Sequence, residues 1–313
     1  MKTQSLETLV GDTPMVELRN LPLPEGVRLY AKLEGANPTG SIKDRIALAM
    51  LRAAECEGRL RPGDAIVEAS TGNTGIALAM LGRLAGYTVH VVVPENVFPE
   101  IGRLLGAYGA VVHWVSGGGD VRAAMLAARA LADRYDWYLP DQFSNPRNVE
   151  AHYATTGAEI LRDLPDVDVV VAGLGTGGTI TGVGRRLKEA RPAVKVVAVE
   201  PHPGSQVQGL QSFEDGYVPP ILDAAVLDGK VLIRSRHAFA HALTLARSEG
   251  IFAGPSGGAV VHAALRFARR VRRGKIVCVL ADGGWKYLGT RLWEATPEPP
   301  HPDEDELDDT IWW

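Results

Sequence analysis

A lysine at the expected start of a helix is the first group in the sequence that could do covalent chemistry. Residues 37–45 (NPTGSIKDR) predict a turn followed by a helix, with Lys43 close to the helix start. The positive end of a helix dipole favours the neutral amine, which suits a nucleophile or a Schiff-base former. The alternative is a solvated surface lysine beside an ion pair, which is the more common environment of lysine.

Two glycine-rich loops could hold anions. Residues 68–75 (EASTGNTG) stand between a strand pattern and a helix pattern. Their hydroxyl groups, Asn73 and the backbone N–H groups could form a nest for a carboxylate, or simply a turn with a Ser or Thr N-cap. Residues 173–179 (GLGTGGT) follow another strand pattern and open a helix. Glycines let backbone N–H groups approach a phosphate closely, so this loop predicts phosphate binding.

Two other enzyme classes use similar patterns. Residues 173–178 satisfy G-x-G-x-x-G, and Glu200 ends the next strand pattern, so an NAD-linked oxidoreductase is a rival interpretation. Residues 254–258 (GPSGG) match the G-x-S-x-G pattern of hydrolases, and Asp282 and His301 follow Ser256 in the order that a triad requires. His301 lies in a proline-rich acidic tail, where a catalytic base would be poorly held, so we disfavour a hydrolase.

Elements that would position these loops follow from the hydrophobic pattern. Runs rich in Val and Ile alternate with helical patterns, which is typical of parallel sheets covered by helices on both faces. We expect strands at 28–33, 65–68, 88–93, 111–115, 167–172, 194–199 and 275–280. We expect helices near 43–57, 73–86, 98–108, 120–135, 147–163, 177–191, 235–250 and 258–273.

The chain length predicts two α/β domains. We place them at 1–147 and 148–294, and about the first 35 residues could cross to the second domain. The remaining residues, 295–313, form a tail rich in acids and prolines that we expect to be flexible. It ends in Ile311, Trp312 and Trp313, which we expect to reach the mouth of the active site or a partner protein.

Composition excludes several classes of function. The 313 residues include 33 Lys and Arg against 37 Asp and Glu, and eight of the acids lie in the last twenty residues. The small surplus of positive charge that remains in the body does not predict nucleic-acid binding. With only Cys56 and Cys278, a disulfide framework or a Cys-based zinc site is excluded, and Cys278 is expected to be a buried thiol. We expect no metal, no membrane contact and a cytoplasmic location.

Taken in order, the loops around Lys43, Asn73, Gly175 and Ser256 resemble those of the cysteine synthase family of pyridoxal-phosphate (PLP) enzymes of fold type II. The resemblance is greatest to the cysteine synthase B branch and runs from residues 11–14 to about Trp293. It implies two three-layer α/β domains with mostly parallel sheets, as in tryptophan synthase β-like enzymes. Further similar segments are residues 33–38 (LEGANP), 141–146 (DQFSNP), 152–157 (HYATTG), 179–182 (TITG) and 249–252 (EGIF).

The resemblance also implies a role for each site residue. Lys43 would form the Schiff base with PLP and move the Cα proton, and Asn73 would bind the ring hydroxyl. Ser256 would face the pyridine nitrogen, and its neutral hydroxyl would favour rapid β-elimination. The phosphate would be held by Gly175, Thr176, Gly177, Gly178 and Thr179. The substrate carboxylate would be held by Ser70, Thr71, Thr74 and Gln142.

The implied reaction replaces the acetoxy group of O-acetyl-L-serine by sulfide to give L-cysteine and acetate, or by thiosulfate to give S-sulfocysteine. Relatives that use O-phospho-L-serine place an arginine where we align Gln211, and the uncharged Gln211 favours the acetyl donor. Cystathionine β-synthase is the nearest enzymatic alternative, while the dehydratases of the same fold are less similar. A binding module without turnover is the alternative from another class. The resemblance implies a homodimer.

Overall fold

The computed structural model describes residues 5–116, 121–213, 216–290, 293 and 310–312. The chain divides into two units, Met1–Gly11 with Asn37–Asn148, and Asp12–Ala36 with Val149–Trp313. The strands are β1 (Met15–Leu18), β2 (Val27–Leu33), β3 (Ala65–Ala69), β4 (Thr88–Pro94), β5 (Val111–Val115), β6 (Val169–Gly173), β7 (Lys195–Pro201), β8 (Gly229–Ile233), β9 (Gly274–Leu280) and β10 (Thr310–Trp312).

Helices alternate with these strands. The α-helices are α1 (Lys43–Cys56), α2 (Asn73–Leu84), α3 (Pro99–Ala107), α4 (Val121–Tyr135), α5 (Pro146–Ala151), α6 (Ala158–Asp163), α7 (Gly178–Ala190), α8 (Ser235–Thr244) and α9 (Pro255–Ala268). Short 3₁₀ segments are Leu6–Leu9, Glu34–Ala36, Ala224–Val226 and Gly284–Tyr287, and π-helical segments are His152–Gly157 and Leu245–Glu249. None of the described helices is long and apolar enough to span a membrane.

The first unit is built on a parallel sheet of β3, β4 and β5, with β4 in the centre. Six of the seven residues of β4 are buried, as expected for a central strand covered on both faces. Helix α2 can lie close to β4 because Gly75 has no side chain. A β-carbon at this position would approach the Val91 side chain to 2.7 Å. Its N-terminus, where Asn73 lies, is thereby fixed at the carboxyl end of the sheet.

The second unit contains, within the described residues, a seven-stranded sheet in the order β1-β2-β9-β6-β7-β8-β10. The five inner strands run parallel, and β1 and β10 are antiparallel to their neighbours. Cys278 lies fully buried on β9, as predicted, and burial raises the pKa of its thiol. The two sheets confirm the α/β fold class with mostly parallel strands.

Sequence patterns missed β1 and β8 and joined helices that the structure interrupts. Strand β8 is buried throughout, but Lys230 breaks its apolar pattern. The predicted helix at 147–163 contains the π-helical turn His152–Gly157, where the Thr155 hydroxyl donates to the Ala151 carbonyl at 2.6 Å. The predicted helix at 235–250 likewise ends in a π-helical turn after α8. Wider turns of this kind often occur near functional sites.

The tail contributes backbone pairing at the edge of the second sheet. Residues 310–312 pair antiparallel with β8, with Ile311 opposite Lys230. Trp313 and residues 294–309 lie outside the described residues. A strand added there covers an edge that would otherwise offer free N–H and C=O groups.

Close packing of α8 on α9 generates a prediction for stability. A β-carbon at Gly258 would lie 2.0 Å from the Ala238 carbonyl oxygen and 2.5 Å from the Ala242 nitrogen, whereas a β-carbon at Gly106 in α3 meets nothing within 4 Å. We expect Gly258→Ala to lower the free energy of unfolding by about 1–3 kcal/mol through overpacking. Gly106→Ala should leave it unchanged or raise it, because alanine favours helix. Urea unfolding of both variants checks this, and equal effects would contradict it.

Candidate active site

The loop before Lys43 is held by side chains of its own segment. Asp44, fully buried in the first turn of α1, accepts a hydrogen bond from the Thr39 N–H group at 2.7 Å and another from the Thr39 hydroxyl. Gly40 adopts a left-handed conformation (φ +80°) and donates its N–H to the Asn37 carbonyl at 2.7 Å. Lys43 is the first residue of α1, as the helix pattern predicted, and it is half-buried. The lysine therefore projects from a fixed turn.

The loop between β3 and α2 is organised by one serine. The buried Ser70 Oγ accepts hydrogen bonds from the N–H groups of Gly72 at 3.1 Å and Gly75 at 2.9 Å. These contacts satisfy N–H groups at the start of α2 that have no partner within the helix. Asn73 is half-buried and Thr71 is exposed, so both lie at the surface of this unit.

Gln142, distant in sequence, joins this loop. The Thr74 hydroxyl donates to Gln142 Oε1 at 2.6 Å, and Gln142 Nε2 donates to the Ala69 carbonyl at 2.9 Å. An amide nitrogen has two N–H groups, so the second is left to donate to a ligand. The structure thus brings together Ser70, Thr74 and Gln142 within the first unit, in a cluster of polar groups that suits an anion.

Glu68 is a buried acid of this site to which the sequence analysis assigned no role. One carboxyl oxygen accepts from the Ala69 N–H at 3.0 Å and the other from the Gln142 N–H at 3.3 Å. Burial, and secondarily the charge of Asp141, raises the pKa of Glu68 to about 8. Asp141 has a positive φ of 52°, which is uncommon outside glycine. Glu68 therefore fixes the strained turn that presents Gln142.

The predicted phosphate loop begins α7 in the second unit. Gly177 is left-handed (φ +83°), and the buried Thr176 hydroxyl accepts the Gly178 N–H at 3.3 Å. A helix leaves its first N–H groups without internal partners, and the loop contains no acidic residue. The Thr179 hydroxyl lies 3.1 Å from Nε2 of the buried His152. This donor set fits a phosphate.

The hydroxyl of Ser256 is placed in the first turn of α9. The residue is buried, and a β-carbon built at Gly209, which has a φ of +87°, would lie 3.6 Å from Ser256 Oγ. Asp282, the acid of the hydrolase interpretation, accepts a hydrogen bond from the Tyr287 hydroxyl at 2.5 Å. His301 lies outside the described residues, so the described part of the chain provides no support for a triad.

Glu200 contradicts the dinucleotide interpretation. Such a site needs its acid free to bind a ribose hydroxyl. Glu200 is fully buried, pairs with Lys230 at 2.7 Å and accepts the Phe213 N–H at 3.2 Å. The acid is therefore engaged inside the second unit.

Comparison with known proteins identifies the class. The family model described as "Pyridoxal-phosphate dependent enzyme" matches residues 6–282. A cysteine synthase of Staphylococcus aureus is 39% identical over 299 residues, covering 92% of this chain and 96% of its own. Cysteine synthase B of Salmonella typhimurium is 41% identical over 287 residues, covering 91% and 95%. The chain therefore belongs to the pyridoxal-phosphate-dependent enzymes, in their cysteine synthase branch, and PLP is its cofactor.

Solved structures agree with this class. The crystal structure of O-ureido-L-serine synthase superposes with a TM-score of 0.90 at 38% identity, covering 98% of this chain and 99% of its own. That of O-acetylserine-dependent cystathionine β-synthase from Helicobacter pylori gives 0.88 at 32% identity, covering 94% and 99%. These two neighbours share the fold, but their names give different reactions.

The raised pKa of Glu68 predicts a pH dependence of stability. The unfolded carboxyl titrates near 4.5 and the folded one at about 8, so the folded state binds more protons between these values. The free energy of unfolding therefore falls as pH rises through this window. Glu68→Gln should remove that component, whereas Glu100→Gln on the surface of α3 should keep it. Urea unfolding between pH 4.5 and 8 measures both, and equal slopes for wild type and Glu68→Gln would contradict the prediction.

Proposed function

We propose that the protein forms L-cysteine and acetate from O-acetyl-L-serine and sulfide, and accepts thiosulfate to form S-sulfocysteine. The observation that carries the proposal is that the first unit holds both a lysine at a helix start and the Ser70–Gln142 cluster suited to a carboxylate. An amino-acid substrate needs both an amine-exchanging lysine and an anion site. The 39–41% identity to cysteine synthases supports the reaction type.

Residues at the starts of four helices, α1 and α2 of the first unit and α7 and α9 of the second, are assigned to PLP. When bound, PLP supplies an electron sink for the electron pair left at the substrate Cα. Ser256 is assigned to the pyridine nitrogen, where its neutral hydroxyl keeps that sink weaker than a carboxylate would. Asn73 is assigned to the ring hydroxyl and Lys43 to the Schiff base. The phosphate is assigned to Gly175, Thr176, Gly177, Gly178 and Thr179.

The directions of the hydrogen bonds indicate which side chains can donate to the substrate carboxylate. Ser70 Oγ accepts from two backbone N–H groups, so its own hydrogen can donate to a substrate carboxylate. The Thr74 hydroxyl already donates to Gln142, so Thr74 contributes by orienting that amide. Gln142 donates its second amide N–H, and the exposed Thr71 completes the set. Three donors aimed at one anion give orientation as well as affinity.

Lys43 moves the proton. Its amine is freed when the substrate amine takes its place, and as a neutral base it removes the Cα proton. The electron pair left at Cα moves into the Cα–Cβ bond, and acetate leaves with the electron pair of the Cβ–O bond. Sulfide then forms the Cβ–S bond, and the Lys43 ammonium returns the proton to Cα. Because acetate leaves before sulfide adds, the kinetics should be ping-pong.

Removing the lysine tests its role. Lys43→Ala should lower kcat by at least about a thousandfold, because both covalent attachment and proton transfer depend on its amine. Lys195→Ala, which removes an exposed lysine paired with Asp228, should retain wild-type turnover. Chromatographic measurement of cysteine formed from O-acetylserine and sulfide checks both. A Lys43→Ala enzyme with near-wild-type turnover would refute the proposed mechanism.

The choice of O-acetyl-L-serine over O-phospho-L-serine as the substrate rests on Gln211. Its backbone N–H donates to the Leu174 carbonyl at 2.8 Å, which holds it against the phosphate loop in the second unit. Its side chain carries no charge, so it provides no counter-ion for a phosphate ester.

A charge introduced at this position tests the donor assignment. Gln211→Arg should raise kcat/KM for O-phospho-L-serine by about tenfold, because a guanidinium binds phosphate with paired hydrogen bonds. Gln211→Met controls for loss of the amide and should not raise it. Steady-state kinetics with both donors measures the ratio. A wild-type enzyme that prefers O-phosphoserine would reverse the assignment.

The products formed with different nucleophiles test which one the enzyme prefers. The similarity to an O-acetylserine-dependent cystathionine β-synthase makes homocysteine the competing acceptor. Mass spectrometry of reactions with sulfide, thiosulfate and homocysteine should show the highest kcat/KM with sulfide. Faster cystathionine formation would favour the second function.

We also propose a cytoplasmic homodimer, as the resemblance to cysteine synthases implies. Light scattering of the purified protein should give twice the chain mass. Cell fractionation should recover the enzyme in the soluble fraction.

A further inference from the structure

One loop of the second unit lies directly on the phosphate loop. In residues 206–213, here called the capping loop, the Leu210 side chain occupies the space above Gly173, where a β-carbon would approach it to 2.3 Å. The backbone of Gln211 bonds to Leu174, and Gly209 faces Ser256. A β-carbon at Gly175 would lie 3.1 Å from the Gly209 carbonyl oxygen, so the capping loop lies against both the loop assigned to the phosphate and Ser256, assigned to the pyridine ring.

The capping loop is attached at both ends. At its start, the Ser235 hydroxyl accepts the Gln206 N–H at 3.1 Å and donates to the Gln206 carbonyl at 2.9 Å. At its end, the Phe213 N–H donates to Glu200 Oε2 at 3.2 Å. The second attachment is unusual because the acceptor is a fully buried carboxylate.

Lys230 makes that buried acceptor possible. Its Nζ lies 2.7 Å from Glu200 Oε1, and its side chain is only 10% exposed. Burying two charges costs desolvation free energy, and apolar residues of similar size are often equally stable. Stability alone therefore does not account for an ion pair between β7 and β8. What the pair adds is a fixed acceptor for the backbone of the capping loop.

We propose that Glu200 is a positioning residue that, neutralised by Lys230, fixes the Phe213 end of the capping loop and so holds Gly209–Gln211 in the geometry that aligns the donor substrate. This role rests on the proposed function, because it assumes that the donor substrate binds beside the segment that contains Gln211. Glu200 acts through the backbone of Phe213 and does not itself contact the substrate. Loss of the hydrogen bond frees the end of the loop while the phosphate loop keeps its own N–H donors.

Two matched double variants isolate the hydrogen bond. Glu200→Gln with Lys230→Met removes both charges but keeps an amide oxygen for the Phe213 N–H. Glu200→Leu with Lys230→Met removes both charges and the acceptor. Neither leaves one member of the Glu200–Lys230 pair buried without the other, so both are expected to fold. The two double variants therefore differ chiefly in whether residue 200 can accept the hydrogen bond from the Phe213 N–H group.

The first measurement is amide hydrogen exchange of the PLP-loaded enzyme. The Phe213 amide should exchange about tenfold faster in the Leu variant than in the Gln variant, because its acceptor is lost. Equal protection in both would overturn the anchor. This measurement does not depend on which reaction the protein catalyses, so it separates failure of the inference from failure of the proposed function.

The second measurement is steady-state kinetics with O-acetylserine. The Leu variant should raise the donor KM about fivefold with kcat changed less than about twofold, the loss expected for one hydrogen bond. The Gln variant should stay within about twofold of wild type, which is rescue by the conservative change. A Leu variant with lower thermal stability but an unchanged KM would show a merely structural residue and overturn the proposal.

Discussion

Burial removes water from the N–H groups of connecting loops, and side-chain oxygens must replace it. In this protein the replacing oxygens come from Asp44, Ser70, Glu68 and Glu200. Each fixes a loop that carries a residue proposed to touch substrate or cofactor. The geometry of the site therefore depends on buried acceptors, of which only Ser70 is itself proposed to bind the substrate.

Of the three carboxylates, Glu68 and Glu200 are buried at different electrostatic cost. Glu68 accepts only backbone N–H groups in the contacts described, and burial beside Asp141 raises its pKa to about 8. At neutral pH it is therefore mostly uncharged, which avoids repulsion of the substrate carboxylate that we propose to bind at Gln142. Glu200 is paired with Lys230, on the side assigned to the phosphate. Glu200 is thus accompanied by a positively charged partner where the phosphate is proposed to bind.

Much of the fold could be read from local patterns, because buried parallel strands are nearly uninterrupted apolar runs. The start of α1 at Lys43, and the start of α7 within one residue of the predicted 177, followed from turn and helix signals that span a few residues. Contacts between distant segments were not accessible in this way. Glu68 meets Gln142 across 74 residues, and β8 was hidden because Lys230 is stabilised by an acid on a neighbouring strand. Local patterning does not report a charge whose partner comes from another element.

We propose that Lys43 carries PLP and that an amino-acid donor loses its β-substituent there. The most direct test is the visible absorption spectrum of the purified protein before and after addition of O-acetyl-L-serine. The account predicts a yellow protein whose lysine Schiff-base band shifts on addition of the donor and returns when sulfide is added. A colourless protein that PLP does not reconstitute, or a yellow one whose spectrum O-acetylserine leaves unchanged, would contradict it.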